Sequence, residues 1–370
     1  MKNNYQNLKN NKVLIAMSGG IDSTVAAILL KQQNYDLVGL TFKPYSDNLT
    51  PDSEFNSEKT IEDAIKVSKK LNIEHHVIDI DQEFNKYVIS NFISEYLNGN
   101  TPNPCVICNK HIKWGLLYEK ALSLGCNKIA TGHYANIIFQ NNRYFLSKGA
   151  DSTKDQTYFL WQLTQEQLSN TIFPLGEFTK EKVKEIAIDN GFTSLSKKRE
   201  SQEICFIPND NYRDFLETHI PDIHERFKPG IVKDVNGKVL GEHTGLYKYT
   251  IGQRKGLGIA TGIPMYVVSI DLKNNTLVLG TKDDLNEDEF FVTNTNFMKF
   301  EDIPENGLKI LTKIRYRNKG VPGTVYKLND KTYKVKLDNY IDAVTPGQSA
   351  VFFDFYNNNH IIGGGIIANC

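Results

Sequence analysis

Apolar residues in the first 150 positions follow two alternating rhythms. The short apolar run KVLIAM (12–17) reads as a buried strand, and DLVGLTF (36–42), HHVIDI (75–80) and KIATGHYA (128–135) read as further strands. Between them lie stretches with helical spacing: DSTVAAILLKQQ (22–33), SEKTIEDAIKVSKKL (57–71) with Ser57 as a cap, FNKYVISNFISEYL (84–97) and NKHIKWGLLYEKALSLG (109–125). Such alternation predicts a doubly wound α/β domain: a parallel sheet, helices on both faces, and ligands at the carboxyl ends of the strands.

DQTYFLWQL (155–163) and TKEKVKEIAIDNG (179–191) also read as helices, the second stopped by Gly191. From about residue 228 the rhythm changes to short alternating strands punctuated by Gly and Pro, with VNGK (235–238) and KNNT (273–276) as hairpin turns. This half is predicted to be β-rich and barrel-like. The expected domains are 1–210, catalytic; 211–280, central and β-rich; and 281–370, a C-terminal β-barrel.

Composition adds little to this picture. With 40% hydrophobic residues the chain can bury a core, and 43 basic against 43 acidic residues give no net charge. A polyanion partner would therefore show in local clusters. Two segments qualify, YKYTIGQRKGLGI (247–259) and KILTKIRYRNKG (309–320), where Lys, Arg and Tyr interleave. Arg and Lys grip phosphates while aromatics stack on bases. No run reaches the roughly 18 apolar residues of a spanning helix, and the polar start, MKNNYQNLKNNK, is no secretory signal. A cytoplasmic protein with no membrane partner is expected. Five cysteines (105, 108, 126, 205, 370) form no secreted disulfide framework and fit a reducing compartment.

The sharpest motif is AMSGGIDS (16–23), between a strand and a helix. Gly19 and Gly20 let backbone N–H groups approach an anion, and the helix N-terminus adds its positive end. Ser18 and Ser23 supply hydroxyls, and Asp22 could hold a magnesium ion on the phosphates. A Walker lysine is missing. The loop looks like that of the ATP pyrophosphatases, which cleave ATP between its α- and β-phosphates.

TPNPCVICNK (101–110) poses a second problem. Its Cys-x-x-Cys could be half of a zinc site, part of an iron–sulfur cluster with Cys105, Cys108 and Cys205 as ligands, or a pair of reactive thiols. Cys108, read as lying at a helix N-terminus beside Lys110 and His111, is expected to have a depressed pKa. Cys205, in SQEICFIP, reads as core when taken alone.

Together, AMSGGIDS, TPNPCVICNKHIKW, ATGHYA, SKGADSTKDQTYFLWQL, SQEICFIP, TIGQRKGLGI and PGQSAVFF resemble the bacterial-type tRNA-specific 2-thiouridylases, in order and over nearly the whole chain. The resemblance implies ATP-dependent 2-thiolation of the wobble uridine in tRNAs for lysine, glutamate and glutamine. It implies Cys108 as nucleophile and Cys205 as persulfide carrier, joined by a transient disulfide during turnover. ATP would lie on Ala16, Met17, Ser18, Gly19, Gly20, Ile21, Asp22 and Ser23, with Phe42 and Gly132. Asn103, Pro104 and Cys105 would face the target base; His133, Lys154, Asp155, Gln156, Arg315, Tyr316 and Gln348 would contact tRNA. A persulfide sulfur-relay donor protein, magnesium and a monomeric state are implied as well. Some members carry an acid–base aspartate at the position of Cys105, and that role does not carry over to cysteine. Two competing readings remain: a nitrogen-inserting synthetase on the same loop, and a non-enzymatic RNA-binding protein with a metal centre.

Overall fold

In the computed structural model the described residues are 11–44, 57–197, 204–207, 211–260 and 262–369. They form two compact units, Met1–Val88 with Cys105–Phe206, and Ile89–Pro104 with Ile207–Cys370.

The first unit is built on β1 (Lys12–Ala16), β2 (Asp36–Lys43), β3 (Glu74–Asp79), β4 (Lys128–Ala130), the hairpin β5 (Ala135–Gln140) and β6 (Arg143–Lys148), and β7 (Thr171–Ile172). Five strands form a parallel sheet in the order β3-β2-β1-β4-β7. Its sides follow from strand alternation. Val13 and Ile15 of β1 pack with the helices α1 (Ile21–Gln32), α2 (Ser57–Leu71) and Lys180–Asp189, through residues such as Val25, Ala64 and Val183. Leu14 points the other way and is also fully buried. Both faces are thus covered, as a parallel sheet requires. The side chain of Ser57 lies outside the described residues.

Three local expectations change. The strand predicted over 128–135 ends at Ala130, because Gly132 leaves the sheet and closes on the backbone of Asp22 and Ser23. DQTYFLWQL forms only a single 3-10 turn, Thr157–Phe159. There the Asp155 carboxylate accepts from both the N–H and hydroxyl of Thr157, a local bond that competes with a helix. The helices predicted at 84–97 and 109–125 each contain a π-helical stretch, Asn85–Ile89 and Asn109–Leu116.

In the second unit, β8 (Gly230–Asp234), β9 (Val239–His243), β10 (Tyr266–Asp271) and β11 (Thr276–Gly280) form an open sheet, order β10-β11-β8-β9. Six strands, β12 (Asn286–Phe297), β13 (Leu308–Lys313), β14 (Val321–Lys327), β15 (Thr332–Asp342), β16 (Ser349–Asp354) and β17 (Ile361–Ile367), close a barrel. Phe290, Val292, Ile310, Val335 and Phe352 fill it. The glycine run of β17 has a steric cause: a Cβ on Gly363 would lie 2.0 Å from the carbonyl oxygen of Asn296.

Candidate active site

β1 and β4 are adjacent and parallel, with Ile15 opposite Ala130, so the segments after them leave the sheet at one edge. After β1 the chain makes the loop Met17–Gly20. Thr41 donates its hydroxyl to the Met17 carbonyl (2.6 Å), Ser18 N–H donates to Ser23 Oγ (3.2 Å), and Thr24 Oγ1 donates to the Gly20 carbonyl (2.8 Å). Gly19 has φ +66°, and a Cβ there would sit 2.8 Å from backbone atoms of α2. Only glycine fits both demands. No side chain caps α1 at Gly20, so its first-turn N–H groups and positive dipole end face outward, suited to a phosphate. Phe42, near the carboxyl end of β2, is half-buried.

Asp22 is held by a cation and a hydroxyl. Its carboxylate accepts from Lys180 Nζ at 2.7 and 2.8 Å and from Tyr134 Oη at 2.7 Å. The Lys180 side chain is 5% exposed. The sequence showed no Walker lysine, yet the fold brings a lysine to this loop from 158 positions away. Neither Lys180 nor Tyr134 was singled out by the sequence.

The thiols contradict the expected activation. Cys108 ends the short helix Pro104–Cys108 rather than starting one, and the π-helix follows it. Burial pushes its thiol up to about 11 and that of Cys205 to about 12, and raises Cys105 as well. Cys105 and Cys205 still expose surface to solvent. Cys108 and Cys105 each raise Cys205 further by like-charge repulsion, which places the three groups within electrostatic range. The one cation opposing burial at all three is Lys113, not Lys110 or His111. Lys113 lies five residues beyond Cys108, and the i to i+5 bonding of a π-helix sets such residues on successive turns. His111 instead stacks on Tyr87 at 4.8 Å. Among the described residues, no group of three His, Cys, Asp or Glu side chains is arranged to hold a metal ion.

Several residues expected on RNA also make bonds within the fold. His133 is 9% exposed, with Nδ1 2.7 Å from Thr131 Oγ1. Asp155 is buried against Thr157. Gln156 exchanges bonds with Tyr134: its Oε1 accepts from Tyr134 N–H (3.0 Å) and its own N–H donates to the Tyr134 carbonyl (3.1 Å). The neighbouring Lys154 N–H donates to the Asp151 carbonyl at 3.1 Å. In the second unit, Gln348 Nε2 donates to the carbonyls of Thr101 (2.9 Å) and Pro102 (3.0 Å). This bond pair fixes the stretch that runs into half-buried Asn103 and buried Pro104. Arg315 donates from Nη2 to the Ala343 carbonyl at 3.1 Å, and Tyr316 beside it is half-buried. None of the described helices is long and apolar enough to cross a membrane.

Comparison with known proteins bears on this arrangement. Residues 11–209 match a family described as the tRNA methyl transferase HUP domain, 213–281 its PRC-barrel domain, and 287–367 an aminomethyltransferase beta-barrel domain. Full-length relatives include tRNA-specific 2-thiouridylases MnmA. That of Amoebophilus asiaticus is 46% identical, covering 97% of this chain and 96% of its own. Those of Natranaerobius thermophilus (43%) and Clostridioides difficile (44%) each cover 97% of this chain and 98% of their own.

Proposed function

This chain belongs to the tRNA-specific 2-thiouridylase family, and we propose that it thiolates C2 of the wobble uridine in tRNAs for lysine, glutamate and glutamine. One observation carries the proposal. The uncapped N-terminus of α1, which suits ATP phosphates, belongs to the same folded unit as two separated thiols, Cys108 and Cys205, that lie within electrostatic range of each other.

The proposed chemistry has two stages. The C2 oxygen of uridine attacks the α-phosphorus of ATP and pyrophosphate leaves, converting a poor leaving group into AMP. The terminal sulfur of a Cys205 persulfide then attacks C2 and AMP departs. Cys108 thiolate attacks Sγ of Cys205, and the electron pair of the cleaved S–S bond stays on the sulfur now bound to C2. The products are 2-thiouridine and a Cys108–Cys205 disulfide, which a thiol reductant reopens. A sulfur-relay protein recharges Cys205.

Ala16 to Ser23 hold the phosphates, with Phe42 and Gly132 beside them. Magnesium travels with the nucleotide; Asp22, tied to Lys180, is not assigned to it. Asn103, Pro104 and Cys105 face the base. Lys154, Arg315 and Tyr316 are the proposed tRNA contacts, while His133, Asp155, Gln156 and Gln348 act by holding those segments in place. Residues 1–210, 211–280 and 281–370 are the proposed working domains.

The test is direct. The purified protein is incubated with ATP, magnesium, a persulfide donor and unmodified tRNA, and the digested nucleosides are analysed by mass spectrometry. ATP-dependent 2-thiouridine, abolished by Cys205→Ser, is the expected result. Full thiolation by that variant would end the persulfide route.

A further inference from the structure

The second unit contains a recess of about 490 Å³ whose charged lining residues are Arg213, Lys255 and Arg315. Among the described residues no carboxylate lines it, although acidic and basic residues are equal in number across the chain. The three cations come from separate elements. Arg213 belongs to the helix Tyr212–His219; its Nε donates to the Lys248 carbonyl at 2.9 Å, and its guanidinium carbon lies 5.2 Å from the centre of the Tyr212 ring. Arg315 follows β13 and is anchored through Nη2 on Ala343 and Thr345. Gly252, with φ +83°, gives it room: a Cβ there would lie 3.2 Å from Nη2. Lys255 is exposed. Two guanidinium groups are therefore held in advance by bonds that leave other N–H donors unspent, and this lowers the ordering cost of binding an anion.

The walls narrow the choice of anion. The lining residue Tyr212 is held in place by stacking on Tyr96, with ring centres 4.7 Å apart and 15° between planes. Opposed in character is the polar side, Thr101 and Gln348, the pinned stretch that leads to Asn103 and Pro104. We infer that this recess seats one backbone phosphate of the RNA substrate, next to the nucleotide that Asn103 and Pro104 face. Arg213, Lys255 and Arg315 share that single phosphate. The inference rests on the thiolase reading for the identity of the RNA and goes beyond it in assigning Arg213 and Lys255.

Binding of unmodified tRNA to the full chain, without ATP or sulfur donor, is measured against salt from about 0.05 to 0.3 M, since each neutralised phosphate contributes about 0.7–0.9 to the slope of log K against log salt. Lys255→Met and Arg315→Gln, each of which removes a cation, should each weaken binding and together flatten the slope. Their combination should flatten it by no more than about 0.9, because one phosphate is at stake. Exposed Lys331→Met should change nothing. Lys255 carries the test if an Arg315 variant misfolds. Unweakened binding by the Lys255 variant, an unaltered slope in the double variant, or a loss there matching two independent phosphates, overturns the assignment. Inorganic phosphate at matched ionic strength should not displace tRNA; displacement that Lys255→Met relieves would mark a free-anion site and overturn it too. If thiolation fails while the slope falls as stated, the recess stands and the reaction reading falls. If thiolation succeeds and the slope is unmoved, the recess assignment alone falls.

Discussion

The ammonium of Lys113 lies 3.4 Å from Nε2 of His133, a buried imidazole whose Nδ1 meets the Thr131 hydroxyl. Lysine can only donate, so Nε2 accepts and the ring proton sits on Nδ1, donated to Thr131. Burial, and then Lys113 itself, hold His133 well below its ordinary pKa, so the ring stays neutral and can accept this bond at physiological pH. Lys113 is also the cation that opposes burial at Cys105, Cys108 and Cys205. A neutral histidine thus accepts from the cation that opposes burial at the three thiols.

Removing that charge should slow thiol chemistry. With Cys108 pushed up to about 11, alkylation of its thiol should rise about tenfold per pH unit between about pH 7 and 10. Lys113→Met should shift that profile to higher pH and lower thiolation, and Lys113→Arg should restore much of both. The profile is read by mass spectrometry of the Cys108 peptide after timed iodoacetamide treatment. An unshifted profile in Lys113→Met would remove Lys113 from the thiol chemistry.

The same shift gives a stability prediction. The folded state holds the Cys108 proton more tightly than the unfolded chain, where the value is 9.0. This contribution is fully present below pH 9 and is lost as pH rises toward about 11. The Tm should therefore fall over that window, and Cys108→Ala should make the fall shallower. Parallel curves for the two proteins would count against a raised Cys108.

Asp22 and Lys180 are unequal partners. Lys180 is 5% exposed and Asp22 35%. Asp22→Asn leaves a buried ammonium without its carboxylate and should cost about 2–4 kcal/mol. Lys180→Met leaves a carboxylate that water can reach and should cost less, about 1–2 kcal/mol. Both should depress ATP–pyrophosphate exchange. Urea melts decide the order, and a larger loss for Lys180→Met would contradict it.

The legible parts were those set by local pattern. Apolar runs marked β1 and β2 to within a residue or two, and the glycines and flanking strand of AMSGGIDS marked the phosphate loop. What escaped depended on distant packing. Lys180 meets Asp22 only because its helix lies against α1, and nothing in TKEKVKEIAIDNG announces that. Sequence adjacency points to Lys110 beside Cys108, but the cation that opposes burial there is Lys113, on the π-helix that follows. Burial, which no short window reveals, reversed the expected direction of the Cys108 shift. His133, Asp155 and Gln348 enter the sequence reading only as tRNA contacts implied by the resemblance; their bonds to backbone or hydroxyl groups leave no mark in composition.

Gly132 gives a steric test of the phosphate loop. A Cβ there would come within 2.8 Å of the Asp22 carbonyl carbon and 2.9 Å of the Ser23 nitrogen. These are backbone atoms and cannot swing aside. Gly132→Ala should therefore displace the start of α1, weaken ATP binding at least tenfold, and leave tRNA affinity nearly unchanged. Isothermal titration with a non-hydrolysable ATP analogue measures the first effect. Unchanged nucleotide affinity would mean that the loop and the Gly132 segment do not constrain each other.

Gln348 separates holding from contacting. Each residue of the Pro346–Gln348 turn serves the 100–102 stretch: the Pro346 carbonyl accepts from Thr101 N–H at 2.9 Å, Gly347 at φ +87° allows close approach, and Gln348 donates twice. Gln348→Glu keeps the size but turns a double donor into an acceptor facing two carbonyls, so both bonds are lost and repulsion replaces them. Amide hydrogens at 100–103 should exchange at least tenfold faster in the free protein, and kcat for thiolation should fall more than KM rises, because the base-facing stretch is misplaced rather than the RNA released. If Gln348 instead acts by touching RNA, the substitution would leave exchange at 100–103 unchanged and raise KM alone. Hydrogen exchange of the RNA-free protein distinguishes these outcomes before any turnover is measured.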